Sequence, residues 1–439
     1  MGIAIIELND SAIQCRYGET FLSVPGYALL SDQGLITGEQ AAQQAWLLPQ
    51  QSHCQYWHQL NLSPLPGANA YARHHADLAH AQLQALYRDA GQPEQVIFAI
   101  PGNMTTDQLS ILLGLAKASP FNSVGLVDAA VAATCQAGVS GEVTHVDMQL
   151  HTSVLTRLSC GQDVSRHHAA QHPDISLKGF YDTWAHFIAE QFITQYRYDP
   201  MHTAQGEQEL RNLLPVWLKK IHSTEEIEIE LAAQQGKFKL TILREQLIAA
   251  NSQRWQGLSD AIARQSGADT ILISHRVAAL PGAREYINYA GILAPEAAII
   301  SSLAHAQHIV SDSDKLSFIT TLKTLQPHTQ MTKAQTLTST TDRSLPSHVL
   351  YRHKAYVIGK QLEVRIDNDG ALRLRSPNAN DQSGAEAILT INSEADRISL
   401  VEHSPSHGLV IQTTADLDAL QAGDQITVDD EMLTFIEVL

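Results

Sequence analysis

The chain has 439 residues, and its first lysine is Lys117. The N-terminal quarter therefore contains no side chain that can place a lysine ammonium against a ligand phosphate. Basic residues are scarce throughout, with 29 Lys and Arg against 46 Asp and Glu and a net charge of −17. Such a surface repels the phosphates of nucleic acids and of anionic lipid, and no Lys/Arg run offsets it. Neither nucleic acid nor a membrane is expected as a partner. Cysteine is limited to Cys15, Cys54, Cys135 and Cys160, with no C-x-x-C pair. That spacing predicts reduced thiols rather than a disulfide framework. No apolar run approaches the roughly 18 residues of a membrane helix. The opening MGIAIIELND lacks a basic segment, so no signal peptide is predicted and a cytoplasmic location is expected. Histidine is abundant, but His74, His75 and His80 sit at separations that share a helix face poorly, which disfavours a metal site there.

The apolar fraction of 44% is enough for a sizeable core. Ile3–Ile6 reads as a buried strand and Ala12–Tyr17 as an alternating one, joined by the turn cluster Asn9-Asp10-Ser11. Phe21–Leu30 adds strand material. Ala79, Leu83, Leu86 and Ala90 fall on one face of a helix predicted between Tyr71 and Ala90. Gln95–Ile100 is a strand ended by Pro101-Gly102. Thr105 or Thr106 caps a helix reaching about Ala118, Val124–Val127 is a strand, and Ala129–Gln136 is an alanine-rich helix.

The pattern then restarts. Glu142–Met148 and Ser153–Leu158 form a second hairpin with a polar tip. Helices at Phe180–Tyr196 and Leu210–Ile221, a hairpin over Ile227–Ile242, one long helix over Arg244–Gln265 and a strand at Thr270–Ser274 follow. Two αβ halves, each opening with a hairpin, imply a duplicated architecture. Pro327–Ser347 is rich in Thr, Ser and Gln and reads as a linker. Beyond it, short alternating segments with turn signals predict a small β-sandwich.

Several segments resemble, in order, the ATPase module of the actin and DnaK-chaperone superfamily. They are Val24-Pro25 with Gly38-Glu39-Gln40-Ala41-Ala42, Val96–Pro101, Val127–Ala133, Ser176–Phe180 and Ala294–Ala298. The resemblance runs to about residue 310. It implies a two-lobed fold, with one lobe over about 1–140 and the other over about 141–325. The 326–347 linker and a C-terminal all-β domain over 348–439 would follow. In that superfamily a nucleotide lies between the lobes, with ATP or ADP and Mg as cofactors. Glycine at each hairpin tip brings backbone N–H groups to the phosphates, and a carboxylate in each hairpin handles metal and water.

The resemblance places the first such loop at Glu7-Leu8-Asn9-Asp10-Ser11 and the second at Asp147-Met148-Gln149-Leu150-His151-Thr152. Glu7 and Asp147 stand at the acidic positions, as candidates for catalysis, and Asp147 also for metal. Asn9, Asp10, Ser11, Gln149, His151, Thr152 and Arg276 are the candidate nucleotide-cleft residues. The glycines are missing, and Asp10 adds a negative charge beside the expected phosphates. Each acidic residue also has a plainer reading: Asp147 as a turn-capping residue and Glu7 as an exposed strand end. Arg276, near Leu280-Pro281-Gly282, is most simply a surface arginine, and Thr152 a strand residue. Arg73 is the substitute cation for the absent lysine.

The C-terminal region resembles a forkhead-associated domain through Val357-Ile358-Gly359-Lys360 and Leu420–Ile426 with Leu433-Thr434-Phe435. Such domains read phosphothreonine by charge-assisted hydrogen bonds. The resemblance makes Lys360, Ser383 and His407 candidate partner-binding residues. The expected function is a protein-binding scaffold without ATP turnover, whose protein partner docks on the sandwich or the lobes. Two alternatives stand: a chaperone-like ATPase that opens and closes, and an actin-like filament protein.

Overall fold

In the computed structural model, the described residues are 2–233, 236–267, 269–311, 316–325, 346–351, 354–366, 372–375, 387–394, 397–402, 411–413, 420, 424–428 and 431–436. The fold is mixed α/β with several sheets. The chain divides into two compact units, Met1–Gln335 and Thr336–Leu439. Most of the predicted linker, Ser383 and His407 lie outside the described residues.

The first unit is built on two six-stranded sheets of one plan. In one, Ile3–Glu7, Ile13–Tyr17 and Thr20–Val24 form an antiparallel meander. Gln95–Ile100 and Asn122–Asp128 extend it in parallel on the other side of Ile3–Glu7. In the other, Gly141–Met148, Ser153–Cys160 and Asp163–His172 form the meander, extended in parallel by Thr270–Ser274 and Gly291–Leu293. In both sheets the first meander strand lies at the centre, so each leading hairpin tip emerges at the carboxyl end of a central strand. Phe318–Ile319 and Thr321–Lys323 then add an edge strand to each sheet in turn.

The helix Ala129–Thr134 is buried almost throughout, with the side chains of Ala130, Val131, Ala132 and Ala133 in the core. Together with Ala297–Ala304 it packs among residues of both sheets, including Ile5, Ile97, Val143 and Leu272. Small residues let these elements approach closely. Two larger cores lie on the outer faces. One gathers Phe180, Trp184, Trp255 and the apolar face of the hairpin Glu226–Ala233/Gly236–Leu243. The other gathers Phe98, Leu78, Leu83 and Tyr56.

Three details differ from the sequence reading. The expected helix over Arg244–Gln265 is two helices, Arg244–Ala250 and Ser252–Ser266, broken at Asn251. The Asn251 carboxamide donates to the Phe180 carbonyl at 3.1 Å, and a buried amide engaged with another helix gives the break its reason. The helix expected from Tyr71 begins at His75. The ten-residue strand Asp163–His172 had no expectation, because its sequence DVSRHHAAQH carries little apolar alternation.

The second unit holds two sheets. One runs Lys354–Val357, His348–Tyr351, Glu431–Ile436, Gln425–Val428, Ile411–Thr413, and the other runs Leu372–Arg375, Gln361–Ile366, Ala387–Glu394, Arg397–Glu402. Val349, Val364, Leu389, Ile391, Ile426 and Phe435 from both sheets form one core. Inward alternation of this kind is what a β-sandwich requires. No helix among the described residues is long and apolar enough to cross a membrane.

Candidate functional site

The two leading hairpin tips meet. At the first, Asn9 Oδ1 accepts from the Ser11 N–H at 2.9 Å and from Ser11 Oγ at 2.7 Å, and the Ala12 N–H donates to the Asn9 carbonyl. This is the local turn that Asn and Ser favour by binding their own backbone. Gly26 lies against the tip. Its N–H donates to the Asp10 carbonyl, and a Cβ there would come within 2.5 Å of that oxygen. At the second tip the Gln149 N–H donates to the Thr152 carbonyl at 2.8 Å. The Gln149 and Leu150 carbonyls accept from the Leu177 and Lys178 N–H groups, which open the long helix Leu177–Tyr196.

Contacts between the tips engage most of these polar groups. Asn9 Nδ2 donates to Asp147 Oδ2 at 3.0 Å and to the Met148 carbonyl at 3.2 Å. The Leu150 N–H donates to Asp10 Oδ1 at 2.6 Å. The Asp10 carboxylate therefore holds a backbone donor of the kind that a phosphate loop offers to its ligand. Gln149 exchanges amide hydrogen bonds with Asn103, and the His151 ring bonds to the Cys54 carbonyl at 2.9 Å. Thr152 is fully buried, and its hydroxyl donates to the Ser153 carbonyl.

Arg276 closes the centre. It sits in the short helix His275–Ala278, which begins where the strand Thr270–Ser274 ends, so the chain turns its side chain toward both hairpins. Nη2 donates to Glu7 Oε1 at 2.8 Å, and Nη1 lies 3.4 and 3.5 Å from the two oxygens of Asp147. The Arg276 side chain is only 9% exposed and that of Glu7 7%. The readings of Arg276 as a surface residue and Glu7 as an exposed strand end are thus corrected. Asp147, rather than capping its own turn, pairs with Arg276 and Asn9. Central strands deliver Glu7 and Asp147 into the interior, the helix after Ser274 brings Arg276 to them, and charges persist there only when paired.

Burial pushes the Glu7 carboxyl above its usual range, further than the nearby guanidinium draws it down. For Asp147 burial also pushes upward, but Arg276 and His145 pull harder, and its carboxyl ends below the usual range. Asp10 has no cation beside it; burial pushes it up to about 7. His145 lies two residues before Asp147 on the same strand face. Neither of its ring nitrogens makes a hydrogen bond, and burial holds it below the ordinary histidine range. Alternation along Gly141–Met148 places His145 beside Asp147, a signal in the sequence that had not been used.

The void bounded by Glu7, His145, Asp147 and Arg276 measures about 30 Å³. One water needs at least about 10–15 Å³ on the same measure, so this space takes a couple of waters. On the other side of Arg276 a wider cleft of about 680 Å³ runs past Ser11, Gln14, Lys219, His222 and Arg284. Arg73 does not enter either space; it is exposed and pairs with Asp77. Among the described residues no cluster of three or more His, Cys, Asp and Glu has metal-binding geometry.

Further polar bridges join the two halves. Arg166 Nη1 donates to the fully buried Asp128 at 2.5 Å, and Asp128 also caps the helix Ala129–Thr134. Arg16 pairs with Glu296. The buried Gln208 accepts from the Trp46 N–H at 2.9 Å and donates to the Ala42 carbonyl at 3.2 Å. In the second unit Lys360 is exposed at a turn, and its carbonyl accepts from the Ser393 N–H. No known protein family and no curated protein matches this chain.

Proposed function

We propose that the chain is a non-catalytic binding protein in which a degenerate actin/DnaK-like lobe pair serves as a rigid scaffold. One observation carries the reading: the Arg276 guanidinium lies between Glu7 and Asp147, the two carboxylates that the resemblance assigns to metal and water. A magnesium ion asks for an octahedral set of oxygens. Bound here it would share those oxygens with a buried cation. The Asn9 and Leu150 donors face protein acceptors, and the void at Glu7, Asp147 and Arg276 takes waters rather than a triphosphate. The forkhead-associated-like sandwich then supplies a docking surface for a protein partner, with Lys360 at its exposed rim.

Thermal melts with and without Mg-ATP test this reading. A ligand at a hundred times its Kd adds about 2.7 kcal/mol, which a melt resolves easily. The scaffold reading predicts no shift at millimolar Mg-ATP. A shift lost in Asp147→Ala overturns it.

The wider cleft favours a second reading, the ATP-binding one. Its 680 Å³ is within the range of small-molecule sites, and its lining includes Lys219, Arg276 and Arg284 but no acidic residue. In that reading phosphates face Lys219 and Arg284 rather than the hairpin tips. The same melt with ATP and no magnesium separates the two, because a shift abolished by Lys219→Ala but kept in Asp147→Ala supports only the second.

A further inference from the structure

A third space adjoins the hairpin tips, with Ser11 and Leu150 in its lining. It measures about 350 Å³ and is lined by Tyr27, Trp46, Tyr181, Lys178 and Arg211, among others. Three aromatic side chains from separate segments converge on it. The Tyr27 and Trp46 rings stand 6.1 Å apart at 43°, and the Arg211 guanidinium lies over the Trp46 ring at 4.9 Å. The walls are fixed. Gln208 ties the Trp46 and Leu47 backbone to the helix Ala204–Ile221, and Arg211 is held by Asp182 and Glu207.

The polar ends of these rings are not engaged. Among the described residues Tyr27 Oη, Tyr181 Oη and Trp46 Nε1 make no hydrogen bond, although all three line one cavity. All three side chains are partly exposed, so these donors stay available to a ligand that enters the cavity. Three donors that open onto one concave space can serve one acceptor-bearing ligand.

Charge decides the ligand class. The two cations at the wall are already matched, Lys178 by Asp182 at 2.7 Å and Arg211 by Asp182 and Glu207. The lining itself also holds Glu39. A polyanion gains little there. For size, a cavity of about 150 Å³ accommodates benzene, so 350 Å³ accommodates a fused bicyclic ring.

The geometry points to a binding site for an uncharged, planar bicyclic heteroaromatic molecule whose ring carbonyls or ring nitrogens accept from Tyr27, Tyr181 and Trp46. The cavity borders the hairpin tips at Ser11 and Leu150 and shares Tyr181 with the wider cleft, but the rings Tyr27 and Trp46 belong to this space and not to that cleft. Its occupant is a small molecule, matched in size to a space of about 350 Å³ lined by the Tyr27–Trp46 segment and the helices Leu177–Tyr196 and Ala204–Ile221.

Saturation-transfer NMR on the full chain tests it, with caffeine, quinazolinone and coumarin as probes and AMP as the anionic control. At least one neutral probe is expected to bind, and more tightly than AMP. Tyr181→Phe should weaken it about fivefold, the worth of one hydrogen bond. Trp46→Ala should abolish the signal. Tyr181→Phe keeps the ring, and an unchanged melt for that variant shows that its fold is intact. No signal from any of the three probes overturns the proposal. Equal affinity in wild type and Tyr181→Phe, or tighter binding of AMP than of the neutral rings, also overturns it.

Discussion

The centre between the hairpin tips and the aromatic cavity beside it are both formed by the two halves of one unit, yet they are filled in opposite ways. At the centre, polar groups of the two hairpin tips and Arg276 bond across to each other: Asn9 to Asp147, Asp10 to the Leu150 N–H, Arg276 to Glu7. About 30 Å³ remains beside Glu7 and Asp147, and about 150 Å³ beside Asn9, Asp10 and Gln149. In the cavity, rings line a space of about 350 Å³ and three donors are without partners. At the centre most polar groups bond to protein, with the His145 ring an exception, whereas partly exposed aromatic walls leave their donors open to a ligand.

Substitutions can break this contrast, and the largest effect is expected at Arg276. Arg276→Met leaves Glu7 and Asp147 buried without a cation. Breaking a buried pair in this way typically costs about 3–5 kcal/mol, to be read from urea unfolding. A loss below about 1 kcal/mol would mean that water, not protein, solvates this centre. Asn9→Ala removes the donor to Asp147 and to the Met148 carbonyl and should cost about 1–3 kcal/mol in the same assay.

The third effect depends on pH. Asp10 titrates at about 7 in the folded chain, above its ordinary value of 3.8. The folded state therefore binds more protons than the unfolded state between those values. Stability attributable to Asp10 is present at low pH and falls as pH rises toward 7. Asp10→Asn keeps an acceptor for the Leu150 N–H and should flatten this decline in melts across pH 4 to 8. A decline of the same slope in the variant would assign it to other groups. The smallest effect is expected in the cavity. Tyr181→Phe removes a hydroxyl with no partner, so stability should change by less than about 0.5 kcal/mol.

Much of the architecture was legible in the sequence. Period-two and helical spacing located the leading hairpins and the alanine-rich helix, and of the two candidate caps Thr105 and Thr106 it is Thr105 that closes a capping box with Gln108. Asp163–His172 was not legible, because an edge-side strand with histidines on its exposed positions loses its alternation. The acidic residues at the tips could be found, but their partner could not. Arg276 is 269 positions from Glu7, and no local pattern shows that a residue beside Ser274 will reach across two sheets. Burial of Glu7 follows from the central place of its strand, and that of Arg276 from a short helix turned toward both hairpins, which are properties of topology rather than spacing.

A double-mutant cycle between Arg276 and Glu7 tests the central claim most directly. Unfolding free energies of wild type, Arg276→Met, Glu7→Gln and the double variant give the coupling energy. If the guanidinium has taken the place of a metal at the carboxylates, the coupling should be at least about 2 kcal/mol, near the top of the range for contacting residues. Additive losses, with coupling near zero, would contradict it.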